Sequence, residues 1–137
     1  MSFTASIESG FVELVPSDPS RAKSIYASSK NALQTALEIE LKPYTSKTVF
    51  RELYESLREL CESIGYSKGY KFSSHQSITY FIADYLNEPS LSRKFDRYRK
   101  LRNGINYYGR SLPEETLVNA RTEIPKIYQQ LEQHVKA

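Results

Sequence analysis

The sequence predicts an all-α protein, specifically an up-and-down four-helix bundle with an additional short helix, on the strength of three observations. Glycine is scarce, with five in 137 residues. Between the glycines and prolines, apolar residues recur three and four positions apart, which is the period of an amphipathic helix. No segment shows convincing strand alternation, and the chain is long enough for one domain with a single core.

Residues 1–16 are interpreted as an N-terminal arm and residues 17–137 as the helical bundle. The first long helix is expected to begin at Asp18, because an aspartate cap followed by proline at the first helical position is a typical helix start. Pro43 and the residue before it are expected to end that helix.

The second helix begins near Ser46 and carries the clearest apolar stripe of the chain. The stripe consists of Phe50, Leu53, Leu57, Leu60 and Ile64, flanked by Tyr54 and Cys61. Gly65 is expected to end this helix, since glycine readily adopts the left-handed conformation found at helix ends. A shorter helix should follow, because Ser73 and Gln76 stand in capping-box register.

The fourth helix is expected to start at residues 87–89, Asn-Glu-Pro, and to run to about Tyr108. The last helix follows Ser111, and its apolar positions continue to the end of the chain. Pro125 lies inside that pattern and predicts a kink or a local break.

Composition excludes several classes of protein. One cysteine precludes an intramolecular disulfide framework, and with only two histidines a Cys/His metal cluster is not expected. We therefore predict no metal and no cofactor. No apolar run approaches the roughly 18 residues of a membrane span, and the N-terminus lacks the pattern of a signal peptide, so a cytoplasmic protein without membrane contact is expected. Cys61 is interpreted as a packing residue.

Positive charge is concentrated in residues 93–110. Seven basic residues and one acidic residue give this segment a formal charge of +6; since the chain carries +3, the remainder carries −3. Such a run is either a solvated cationic helix face or an electrostatic footprint for phosphates.

Arg102 stands out within this segment. At about 100° per residue it falls inside the apolar arc of its helix, between Phe95 and Leu91. A guanidinium group there is costly unless it is paired or faces something other than a dry core. It is therefore either paired with a carboxylate such as Glu59 or Glu62, or passes out beyond Phe95, or lies at a subunit seam or cleft where it binds phosphate.

Residues 99–109, with the sequence RKLRNGINYYG, resemble the signature of the HEPN superfamily, in which four to six residues separate an arginine, usually followed by Asn or Asp, from a histidine. The order of the helices, the loop at 65–70 and His75 are also similar to single-domain members. The resemblance implies a helical bundle. Many members are metal-independent endoribonucleases, often toxins paired with a minimal nucleotidyltransferase, and they form homodimers with a composite basic cleft.

Carried over by position, Arg102 matches the motif arginine and Asn103 the polar residue after it, but Tyr107 occupies the position of the histidine. Histidine suits proton transfer near neutral pH, whereas a tyrosine, with a pKa near 10, does not. Tyr107 can still donate a hydrogen bond or stack on a base. Arg102, Asn103 and Tyr107 are the predicted site residues.

Three functions stay open at this point. The first is a nucleotide- or RNA-binding or regulatory module that acts as a homodimer with a nucleotidyltransferase partner, with catalysis weak or absent. The alternative is an endoribonuclease toxin that uses Arg102 with Tyr107 or His75. The third is a purely structural bundle. The mixed apolar and arginine surface of the fourth helix predicts that this helix contributes to a two-fold homodimer.

Overall fold

The computed structural model describes residues 1–109 and 111–136, without the side chains at positions 107, 108 and 136. The described chain is mostly helical, and this confirms the all-α class. Its helices are α1 (Phe3–Glu8), α2 (Pro19–Glu38), α3 (Ser46–Lys68), α4 (His75–Tyr80), α5 (Pro89–Tyr108) and α6 (Glu114–Glu132). Two strands, β1 (Val12–Leu14) and β2 (Tyr70–Phe72), a π-helical turn (Phe81–Tyr85) and a 3-10 turn (Gln133–Lys136) complete it.

Helix α3 is the centre of the core. Its predicted stripe is buried throughout, and it packs most extensively against α2 and then against α6. The prediction that Gly65 ends this helix is wrong, because the helix continues to Lys68 and Gly69 is the capping residue, with φ +89°. Gly65 serves a different purpose: an added Cβ there would lie 2.6 Å from the Phe72 ring, so the absence of a side chain lets β2 pack on the helix.

Helix α2 begins as predicted and lies close against α3. The Asp18 side chain accepts a hydrogen bond from the Arg21 backbone N–H at 3.0 Å, and Pro19 is the first helical residue. The residues of α2 that are buried are all small: Ala22, Ser29, Ala32 and Ala36. The helix ends at Glu38, before the expected Lys42-Pro43, and the Arg121 guanidinium of α6 donates to the carbonyls of Leu37 and Ile39 at this end.

The strands are a feature that the sequence did not predict. β1 and β2 pair antiparallel, with Val12 opposite Phe72 and Leu14 opposite Tyr70. Each strand has three residues, which is too short for a visible alternation of apolar and polar positions. Within residues 1–16, interpreted above as an arm, Phe3 and Val12 are buried and belong to the core.

The region before α5 departs from the expected single short helix. Ser74 rather than Ser73 precedes α4, and the Ser73 hydroxyl donates instead to the Phe11 carbonyl at 3.0 Å. The chain then widens into the π-helical turn before α5 starts at Pro89. α5 ends at Tyr108, as predicted, and Gly109 caps it with φ +62°. The local break that was one expectation for Pro125 does not occur, because α6 continues as a helix on both sides of this residue.

No helix in the described part of the chain combines the length and the hydropathy that a membrane crossing requires.

Candidate functional site

The basic helix α5 lies with its predicted apolar arc inward. Leu91, Phe95, Tyr98 and Ile105 are buried, and Leu101 is half-buried. Basic side chains lie on the two flanks of this arc. One flank, towards α3 and α4, carries Arg99 and Arg102, whereas the other, towards α6, carries Lys94 and Arg97.

Arg102 lies half-buried against an aromatic ring of the core. Its guanidinium carbon is 5.8 Å from the centroid of the Tyr54 ring, which is itself fully buried and stacked on Phe95 with a centroid separation of 5.6 Å. A cation over an aromatic face is attracted by the ring quadrupole, and this lowers the cost of its burial. Glu62, one of the carboxylates expected to pair with Arg102, forms an ion pair with Arg58.

Tyr54 connects this arginine to His75. The Tyr54 hydroxyl lies 3.1 Å from Nδ1 of His75, which opens helix α4 and is half-buried. Burial raises the pKa of Tyr54, so the phenol keeps its proton. If Nδ1 accepts this proton in a hydrogen bond, Nε2 carries the ring proton; if Nδ1 donates, Nε2 is an acceptor.

The imidazole of His75 is held in its neutral form. Burial, followed by the positive charges of Arg58 and Arg102, lowers the pKa of His75 from its ordinary value of 6.5 to about 4. Arg99 acts in the same direction, whereas Glu55 opposes it. Three guanidinium groups from α3 and α5 therefore add to the effect of burial on one imidazole.

Carboxylates hold Arg58 and Arg99 in place. Arg58 pairs with Glu55 and Glu62 on its own helix, and the Nε of Arg58 lies 3.0 Å from both Glu55 oxygens. Arg99 pairs with Asp96 at 2.8 Å. The pairs hold the guanidinium groups in place around Tyr54 and His75 and compensate part of their charge.

The other predicted site residues have different outcomes. Asn103 is half-buried beside Arg102 on α5. Tyr107 lies in the last turn of α5, but its side chain is outside the described part of the structure, so its contribution stays a prediction. One turn after Arg102, the side-chain oxygen Oδ1 of Asn106 accepts a hydrogen bond from Nε of Arg51 at 2.9 Å.

Sequence reasoning missed the role of Tyr54, which it placed only beside an apolar stripe. Tyr54, His75 and Arg102 are far apart in the chain, so no local pattern joins them. The polar hydroxyl of Tyr54 within a fully buried stripe was the one available signal, because a buried phenol usually finds a hydrogen-bond partner.

The other side chains with reactive groups lie outside this site. Cys61 is fully buried, and burial raises its pKa well above the ordinary value, as expected for a packing residue. His134 lies 3.3 Å from the carboxylate of Glu88, at the start of α5. Within residues 1–109 and 111–136, no three His, Cys, Asp or Glu side chains are grouped so that they could hold a metal ion.

Comparison of the chain with protein-family models, with curated proteins and with solved structures finds no match. The structure itself describes an all-α protein. In it a half-buried arginine, a buried tyrosine and a neutral histidine lie together between helices α3, α4 and α5.

Proposed function

We propose that the protein is a nucleotide- or RNA-binding or regulatory module, and that it binds a phosphate group at Arg102. The observation that carries the proposal is the half-buried guanidinium of Arg102 over Tyr54, beside the neutral imidazole of His75. Arginine presents a planar fork of donors that matches phosphate oxygens, and its partial burial strengthens each charge-assisted hydrogen bond.

The surroundings favour a nucleotide over a simple anion. The arginine belongs to a segment with a formal charge of +6, which attracts a polyanion over a distance. Asn103 next to it offers both donors and acceptors, of the kind that base edges require. The resemblance of residues 99–109 to the HEPN signature supports the same ligand class.

The proposal also covers the topology of the helices and the protein's binding partners. The four long helices α2, α3, α5 and α6 are taken to form an up-and-down bundle of the HEPN type, with α1 and α4 as additions. We propose that the protein acts as a homodimer in which α5 contributes to the contact, with a minimal nucleotidyltransferase as its partner. Light scattering that shows only monomer at high protein concentration would remove the dimer from the proposal.

Catalysis is proposed to be weak or absent, because Tyr107 replaces the histidine of the motif. The alternative, a metal-independent endoribonuclease toxin, is favoured by one observation. Tyr54 contacts both residues, since its hydroxyl meets His75 and its ring lies against Arg102. However, a pKa of about 4 leaves little protonated His75 near neutral pH, so this histidine makes a poor general acid there.

Binding of a 5′-labelled uridine trinucleotide, measured by fluorescence anisotropy, tests the proposal. Arg102→Ala is expected to weaken binding about tenfold or more, since a charge-assisted contact is lost. Arg93→Ala is the matched control, because Arg93 is an exposed arginine of the same helix outside the site. An equal loss in both variants would mean that only the overall charge of the helix attracts the ligand.

A cleavage assay separates the two functions. RNA is incubated with the wild-type protein in EDTA and analysed on a gel. Cleavage that disappears in both Arg102→Ala and His75→Gln would establish the endoribonuclease, whereas intact RNA together with Arg102-dependent binding supports the binding module.

A further inference from the structure

The second flank of α5 borders a groove that the proposed site does not use. Helices α5 and α6 both pack on α3 and leave between them a groove of about 850 Å³. On the α6 side it extends from Thr116 to Gln130, which is about 21 Å along a helix with a rise of 1.5 Å per residue.

Basic side chains predominate at the rim of the groove. Lys94 and Arg97 lie on the α5 side and Lys126 on the α6 side. The acidic lining residue is Glu123, which accepts from the Tyr98 hydroxyl, pairs with Arg97 and lies 4.0 Å from Nζ of Lys94. Three cations and one carboxylate leave the lining with a net positive charge.

The floor of the groove argues against a partner helix. Tyr98 is 2% and Ile127 is 1% exposed, so among the apolar side chains of the floor it is mainly the half-buried Leu101 that a partner could contact. A helix that docks in a groove needs apolar pockets for its anchoring side chains. The lining instead includes the uncharged polar side chains Thr116, Asn119, Thr122 and Gln130.

We propose that this α5–α6 groove binds single-stranded RNA that extends from the phosphate site at Arg102 across α5. The inference rests on the proposed function, because it lengthens the ligand of that site. Cations on both rims attract successive phosphates, and amide and hydroxyl groups between them reach sugar and base edges. Spacing of the cations over two helices suits a chain of phosphates better than a single anion.

The test compares a uridine trinucleotide with a uridine dodecamer, both labelled at the 5′ end. Wild-type protein is expected to bind the dodecamer at least tenfold more tightly than the trinucleotide, since the longer strand reaches the groove. The groove variant Lys94→Ala/Lys126→Ala leaves the Arg97–Glu123 pair intact. It should lose most of this length-dependent gain but keep its trinucleotide affinity.

Salt dependence gives a second measurement. Removal of two phosphate contacts should reduce the slope of log K against log salt for the dodecamer by about 1.4, at roughly 0.7 per contact on a single strand. The control variant Lys23→Ala/Lys71→Ala removes two exposed charges from other elements and should leave affinity and slope close to wild type.

The outcomes separate this inference from the proposed function. If Arg102→Ala weakens both ligands and the groove variant behaves like the control, the phosphate site stands and the groove inference is wrong. If the groove variant weakens dodecamer binding and Arg102→Ala changes nothing, the proposed site is wrong, and the strand does not start at Arg102. If wild-type protein binds neither ligand, both are overturned.

Discussion

The two flanks of α5 use the same kind of residue in opposite ways. On the flank that faces α3 and α4, Arg102 is half-buried on an aromatic ring of the core and acts on His75 through its charge. On the flank that faces α6, the Arg97 side chain is 57% exposed and pairs with Glu123 at the rim of a groove. Equal charges therefore differ in effect, since burial strengthens an electrostatic interaction that water would screen.

The two flanks are therefore expected to bind different parts of a ligand. A partly desolvated guanidinium group favours one bound phosphate at a defined position, whereas exposed cations along a groove attract a longer strand with little positional demand. Three substitutions and one change of pH test this contrast, and they follow in order of decreasing expected effect.

Tyr54→Ala should have the largest effect, because it removes the ring on which the Arg102 flank is built. The ring is fully buried and stacked on Phe95, so we expect a loss of about 3–5 kcal/mol in the free energy of unfolding. Urea unfolding followed by circular dichroism measures it. A loss below 1 kcal/mol would show that Tyr54 is not a core residue.

Tyr54→Phe keeps the ring and removes only the hydroxyl that meets Nδ1 of His75. We expect a loss of about 1 kcal/mol in the free energy of unfolding, the usual scale of one hydrogen bond. The same urea experiment applies. If this variant lost as much as Tyr54→Ala, the hydroxyl rather than the packed ring would support the Arg102 flank.

Acid should destabilise the folded protein through His75. Its pKa is about 4 in the folded protein, below the ordinary 6.5, so the unfolded chain takes up the proton first as the pH falls. Stability contributed by neutral His75 is present above pH 6.5 and is lost between pH 6.5 and about 4. We expect a loss of at most about 1 kcal/mol, which is well below the full linkage value because the ring is partly exposed.

Comparison with His75→Gln isolates this effect from carboxylates that titrate in the same range. The difference in free energy of unfolding between the wild type and the variant should shrink or change sign as the pH falls from 7 to 4. A difference independent of pH would mean that His75 titrates as an ordinary exposed histidine.

Glu123→Gln should have the smallest effect and act only on the groove flank. Loss of the carboxylate makes the groove more positive, so dodecamer affinity should rise about two- to threefold at low salt, while trinucleotide affinity stays unchanged. Glu115→Gln, at an exposed position of α6 outside the groove, is the matched control. Equal gains in both variants would reduce the groove to a region of general positive charge.

Prediction from sequence succeeded where the signal is local. Capping and the backbone preferences of neighbouring residues account for the start of α2 after Asp18 and for the bounds of α5 at Pro89 and Tyr108. The prediction of the end of α3 was wrong, because two glycines were candidates for the capping position. Gly65 and Gly69 look alike in the sequence, but only the position of Phe72 shows that the first makes room and the second ends the helix.

The candidate site divides in the same way. Helical periodicity alone placed Arg102 within the apolar arc of a basic helix, because the angular position of a residue depends only on its number in the helix. Tyr54 and His75 joined it only in the folded chain, since their meeting depends on how α3 and α4 pack against α5.

By itself, the sequence determined the helical class, the central apolar stripe, the charge of +6 on residues 93–110 and the unusual position of Arg102. Packing in the folded chain shows which cations are buried and which line a groove, that His75 is neutral, and that β1 and β2 pair. The physical reason is the range of the interactions. Helix formation is governed by neighbours within one or two turns, whereas desolvation, aromatic contacts and clefts arise from residues that packing alone brings together.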